Sequence, residues 1–151
     1  MALKEQLNDD VKAAMLSGNR FVSDTLRNLK AAILNEEVAT GKRDEGLGDS
    51  EIEKVIAREV KKRQESIKLY RDNGRDDLAD PEQQELDILK AYLPEQLSED
   101  EIRRLVVETI ASLGVSGPAA MGQVIGAVKG QAGNTVDGAL LAAVVKQELT
   151  K

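Results

Sequence analysis

A chain of 151 residues, 41% of them hydrophobic and with a net charge of -6, is long enough for one domain or two small ones. It holds no Cys and no His, which removes thiol nucleophiles, disulfides, imidazole bases and the usual zinc or haem sites. The mean field repels nucleic acid, so any RNA contact must use a local patch.

Leu3, Leu7, Val11 and Ala14 predict a first helix that ends at Ser17-Gly18-Asn19. No N-terminal run resembles a signal peptide, because Leu3 to Leu16 is broken by charges, and no segment approaches the ~18 apolar residues of a membrane span. A soluble, cytoplasmic chain with no membrane partner is the expectation. Val22, Leu26, Leu29 and Ile33 recur at helical spacing and predict a second helix. Thr40 to Gly48 is polar, contains three glycines and reads as a mobile loop. Asp49 or Ser50 is expected to cap a third helix running to about Asn73, closed by Gly74. Pro81 suits the first turn of a fourth helix capped by Asp80. Leu86, Leu89 and Leu93 form its core face, and Pro94 stops it.

A composition shift follows Tyr92-Leu93-Pro94. Ser98 and Glu101 have capping-box spacing and open a fifth helix, with Ile102, Leu105, Val106, Ile110 and Leu113 inward. Gly114 to Pro118 reads as a turn, and a sixth helix is expected from about Ala119 to Lys129. Gly130 to Val136 reads as a loop. Asp137 caps a last helix with Leu141, Val144, Val145 and Leu149 inward. The expected fold is all-α: a four-helix domain over residues 1–94 and a small three-helix domain over residues 95–151. The aromatic residues are Phe21, Tyr70 and Tyr92 alone, which argues against reading single strands by base stacking.

Three constellations stand out. Gly122, Gly126 and Gly130 fall on one side of the sixth helix, with Lys129 beside them. A helix-interior glycine costs roughly 1 kcal/mol relative to alanine, so the row needs a reason. It serves either close packing of a neighbouring helix or a bare backbone surface facing a ligand. On the third helix, Lys54, Arg58, Lys61, Lys68 and Arg75 lie within about 60° of one line. That stripe is either a solvated face or a phosphate-contacting one. Arg63 sits in the apolar seam between Val60 and Ile67, so it needs a partner, and Glu82 and Glu85 on the fourth helix are the candidates. The two glutamates share a face. With no His and no nucleophile near them, ion pairing outweighs acid–base work or cation binding. No phosphate loop GxxxxGK[ST] and no GxGxxG occur. No catalytic residue, metal ligand or cofactor site is expected.

The runs Leu26-Arg27-x-Leu29-Lys30-x-Ala32-Ile33, Lys62-Arg63-x-x-Ser66-Ile67 and Gly74-Arg75-x-Asp77-Leu78-Ala79 resemble the YqeY family, as does Tyr92-Leu93-Pro94-x-Gln96-Leu97-Ser98. Met121-Gly122-Gln123-Val124-Ile125-Gly126 and Val144-Val145-Lys146-x-x-Leu149 fit the same pattern, so the likeness covers essentially the whole chain. Pro81 stands where the family has a helix former, and the fourth helix is therefore expected to start late. The segment Gly133 to Gly138 is a few residues longer than the family's.

The pattern is also similar to the C-terminal tail of GatB, a subunit of the tRNA-dependent amidotransferase. The resemblance implies tRNA binding without catalysis, by a module acting alone or beside an amidotransferase or an aminoacyl-tRNA synthetase. The Gly122-Gln123-Val124 and Lys129-Gly130-x-Ala132 positions have close counterparts in that tail, and the likeness explains the family label of carbon–nitrogen ligase with glutamine as amido donor. Because helix ends and bare backbone can approach phosphates, RNA contacts are expected on Gly122, Gly126, Lys129, Gly130 and Lys146. The alternative is a helical protein–protein adaptor. An amidotransferase in its own right is disfavoured by the missing Cys, His and nucleotide loop. The chain is expected to be a monomer.

Overall fold

The computed structural model describes residues 2–151. Seven α-helices occur among the described residues: α1 (Leu3–Leu16), α2 (Arg20–Ala39), α3 (Asp49–Asp72), α4 (Asp76–Lys90), α5 (Glu99–Leu113), α6 (Met121–Ala132) and α7 (Gly138–Leu149). Single 3-10 turns lie at Pro118–Ala120 and Gly133–Thr135, and no strand is present among those residues. The protein is all-α. Its chain falls into two compact units, Met1–Leu93 and Pro94–Lys151.

In the first unit, α1 and α2 form an antiparallel hairpin and α3 packs along α4. Leu7, Leu26, Leu29, Ile52, Ile56 and Leu89 are sealed from solvent in its centre. Asn19 opens α2 by accepting the Val22 N–H at 3.2 Å. The expected cap of α3 is absent, because Gly48 holds that position and makes no side-chain bond. Asp49 instead serves α1: its Oδ1 accepts the Leu3 N–H at 3.0 Å. That satisfies one of the free donors at the start of a helix 46 residues earlier in sequence.

The segment from Thr40 to Gly48 is not the free loop its composition suggests. Glu37, only 3% exposed, turns its carboxylate under it. Glu37 Oε2 accepts from Lys4 Nζ at 2.8 Å and from the Leu47 N–H at 2.9 Å. Leu47 is thereby drawn into the core. The Glu37 carboxyl is held below its ordinary value of 4.5, by the Lys4 hydrogen bond first and the Leu47 amide second. Gly46 passes close above the pair with φ 76°, and a Cβ there would stand 3.2 Å from Glu37 Oε2. A side chain at this position would be strained and would press on the ion pair.

α4 begins at Asp76, not after Asp80, and Pro81 lies inside it. Gly74, at φ 69°, ends α3 and turns the chain directly into the next helix. Asp76 and Asp77 then suit the positive end of the helix dipole. Arg71 clasps Asp76 and Asp80, each at 3.3 Å, and Ala79 is fully buried. These contacts hold the first turn, although Pro81 forfeits the bond to the Asp77 carbonyl. At the far end, the Tyr92 hydroxyl donates to Asp10 on α1. Burial first, and this bond second, push the phenol well above the ordinary tyrosine value.

The second unit packs α5, α6 and α7 around Ile102, Val106, Val124, Val128, Leu141 and Val144. The Ser98–Glu101 capping box is present: the Glu101 N–H donates to Ser98 Oγ at 3.2 Å and the Ser98 N–H to Glu101 Oε1 at 3.1 Å. Gln96 Nε2 donates to the Asn134 carbonyl at 2.9 Å, and the Leu97 N–H to the Thr135 carbonyl at 2.8 Å. The Pro-x-Gln-Leu-Ser run is therefore a strap that fastens the lead-in of α5 to the Gly133–Thr135 turn. Asp137 caps α7 through the Ala139 N–H at 3.4 Å. Leu113, expected inward, is 38% exposed because α5 ends there at the left-handed Gly114.

Candidate nucleic-acid interface

α6 extends through Ala132, so Gly130 lies within the helix and not in the loop expected there. Val124 and Val128 are fully buried. At 100° per residue, Gly122 and Gly126 point almost directly away from Val124, and Gly130 lies to one side of them. All three are exposed. A Cβ built on any of them would meet nothing within 4 Å. Packing against a neighbouring helix of this chain therefore does not explain the row. The glycines leave a strip of helix backbone open to solvent.

Lys129 is exposed on the same side of α6. Its ammonium reaches the start of α7, where a Cβ on Gly138 would lie 3.8 Å from Nζ. Lys146 is exposed in the last turn of α7, eight residues beyond Gly138 and so about 12 Å further along that helix. A cation suits that end of a helix. Neither lysine makes an ion pair among the described residues. Of the other cations of this unit, Arg104 on α5 also makes no ion pair among the described residues, while Arg103 and Lys151 are committed. Arg103 bonds Glu148 and Gln147, both at 2.7 Å, and Lys151 bonds Glu148 at 2.9 Å. Those two partners, Lys151 first, hold the Glu148 carboxyl below its usual range.

The basic stripe of the first unit is less available. Lys54, Arg58, Lys61 and Lys68 are exposed on α3. Arg75 is not on that helix at all: α3 stops at Asp72, and Arg75 forms a two-pronged bond to Asp77, at 3.1 Å on each prong. Arg58 pairs with Glu36 at 3.0 Å and Lys68 with Asp72 at 3.5 Å. The hollow of about 700 Å³ beside Lys54 and Arg58 is also lined by Glu36 and Glu51. Carboxylates among the cations blunt any attraction for phosphate. Lys54 and Lys61 are the stripe members that make no ion pair among the described residues.

Arg63 is a structural residue. Its Nε donates to Glu85 at 3.1 Å and its Nη1 to the Glu59 carbonyl at 3.1 Å, with the side chain 14% exposed. Glu85, not Glu82, is the partner. A set that sequence reasoning passed over lies on α2: Arg20, Arg27 and Lys30 are exposed at steps of seven and three. That spacing was the signal available.

Among curated proteins, the chain is 33% identical over 132 residues to "Altered inheritance of mitochondria protein 41, mitochondrial" of Pyrenophora tritici-repentis, covering 84% of this chain and 71% of that protein. The protein of the same name from Clavispora lusitaniae is 35% identical over 92 residues, 61% of this chain and 52% of the relative. In Saccharomyces cerevisiae the figures are 31% over 87 residues, 58% and 46%. The chain thus spans about half the length of the Clavispora and Saccharomyces proteins. Their names overturn the cytoplasmic expectation. Among the described residues no single helix is long and apolar enough to cross a membrane, and composition does not separate one compartment from another. A family model described as Yqey-like protein matches residues 4–149, and the chain belongs to that family.

Proposed function

We propose that this chain is an accessory module that binds tRNA, in connection with tRNA-dependent amidation and with no catalytic residues of its own. We take residues 1–94 and 95–151 as separate domains and assign the grip to the second. The observation that carries this reading is the bare glycine face of α6, flanked by Lys129 and Lys146, two exposed cations free of ion pairs. Exposed helix backbone admits a sugar-phosphate chain closely, and lysines supply charge without base preference. The likeness to the tail of an amidotransferase subunit supports the choice of RNA.

With a net charge of -6, affinity should be modest and should fall steeply with salt. Total tRNA titrated by filter binding at two salt concentrations tests this. Lys129→Glu and Lys146→Glu, both at exposed positions that fold stability barely uses, should each weaken binding several-fold and flatten the salt dependence. If both folded variants bind as the parent does, the second unit is not the grip.

A further inference from the structure

Two hollows open along one side of the α1–α2 hairpin, and the steps of three and four from Arg20 through Ser23, Arg27, Lys30 and Leu34 to Glu37 on α2 join them into one groove-like seam. The seam is about 25 Å long. At one end is a hollow of about 420 Å³ beside Met15, which is 58% exposed. At the other is one of about 300 Å³ floored by Leu7 and Ile33, with Leu34 44% exposed at its lip.

The charge of this groove is opposite to that of the protein. Arg20, Arg27 and Lys30 are exposed and make no ion pair among the described residues. Of the acids that line it, Glu37 is held by Lys4, which leaves Asp24. No packing need within the first unit explains three free cations along this seam. Arg27 and Lys30 also belong to the Leu-Arg-x-Leu-Lys run that the RNA reading leaves without a role.

We propose that the groove docks an amphipathic helix of a partner protein, with leucine-like side chains on one stripe and Asp or Glu flanking it. The hollows beside Met15 and Leu34 receive the stripe, and the cations between them meet the flanks. A nucleic acid would use the cations but leave Leu34, Met15 and the hollows unfilled. The partner helix joins the α1–α2 hairpin on the side that α3 does not cover.

The test uses the full chain and a synthetic acidic amphipathic helix of about 18 residues, long enough to span the seam. A counterpart with Lys in place of every Glu is the control. Fluorescence anisotropy should show the acidic peptide binding at least about tenfold more tightly than the basic one, with the gap closing as salt rises. Arg27→Glu/Lys30→Glu, checked for native helicity, should lower affinity for the acidic peptide about tenfold or more, and Leu34→Ser should lower it for a different reason, with little change in salt dependence. tRNA affinity should stay at the parent's value in both variants. Equal binding of the two peptides would overturn the proposal. So would a charge-reversed variant that keeps the peptide but loses tRNA, which would assign the groove to RNA.

Discussion

Replacing Glu37 with alanine is expected to destabilise the first unit by about 2 kcal/mol, the cost of leaving a buried N–H without its acceptor and losing an ion pair. For a unit of this size that is a fall of roughly 10 °C in Tm. Lys4 is 48% exposed and can turn to water, so the larger loss is the anchor of Leu47. Glu37→Gln keeps an acceptor for Leu47 and should cost about half as much. The pH dependence has a definite sign. The folded-state carboxyl is held below its ordinary value of 4.5. Its contribution is therefore fully present above the unfolded value and is lost as pH falls through the lower folded one. Thermal melts from neutral to acid pH should show the parent approaching Glu37→Gln as the carboxyl protonates. Parallel curves across that range would contradict the assignment.

Arg63→Ala should cost about 2 kcal/mol, less than the 3–5 typical of a fully buried pair because Glu85 keeps some water. The Glu85 side chain is 25% exposed and would lose its nearest cation, while the Glu59 carbonyl would lose a donor. Arg63 also lies one turn from the buried Val60 and Ile67 on α3. Arg63→Lys should recover only part of the loss, because an ammonium does not reproduce a planar fork that serves two acceptors. A double-mutant cycle with Glu85→Ala isolates the pair and should return a coupling of about 1 kcal/mol. Urea melts measure each term, and tRNA affinity should not move. An unchanged stability would show that Arg63 reaches solvent and that the pair is incidental.

Helices with a strong apolar period were legible because 3.6-residue spacing and burial are the same fact seen twice. The Ser98 box, the Asp137 cap and the Gly74 stop were legible because each is local. What escaped the sequence was long-range. Asp49 looked like the cap of the helix it begins, yet it serves α1, and no local rule sees a partner 46 residues away. Glu37 carries no local signal of its role, which arises only when the loop after it folds back onto its carboxylate. Arg75 kept the angular register of α3 on paper, but Gly74 ends the helix before it. Pro81 suggested a late start, but side-chain contacts around Arg71 and Ala79 held the earlier turn. In the candidate site, the sequence placed the three glycines on one side and left two explanations open. The space around them removes helix packing within this chain as the explanation.

That same space gives the most direct test of the RNA reading. In Gly122→Ala/Gly126→Ala/Gly130→Ala, each new methyl enters a void in a helix that favours alanine, so the fold should gain about 2 kcal/mol in total. The methyls would also stand between α6 and any backbone lying against it. Tm and tRNA affinity should be measured on one preparation. The account predicts a higher Tm together with tRNA binding weakened several-fold. A higher Tm with tRNA binding equal to the parent's would contradict it and remove α6 from the interface.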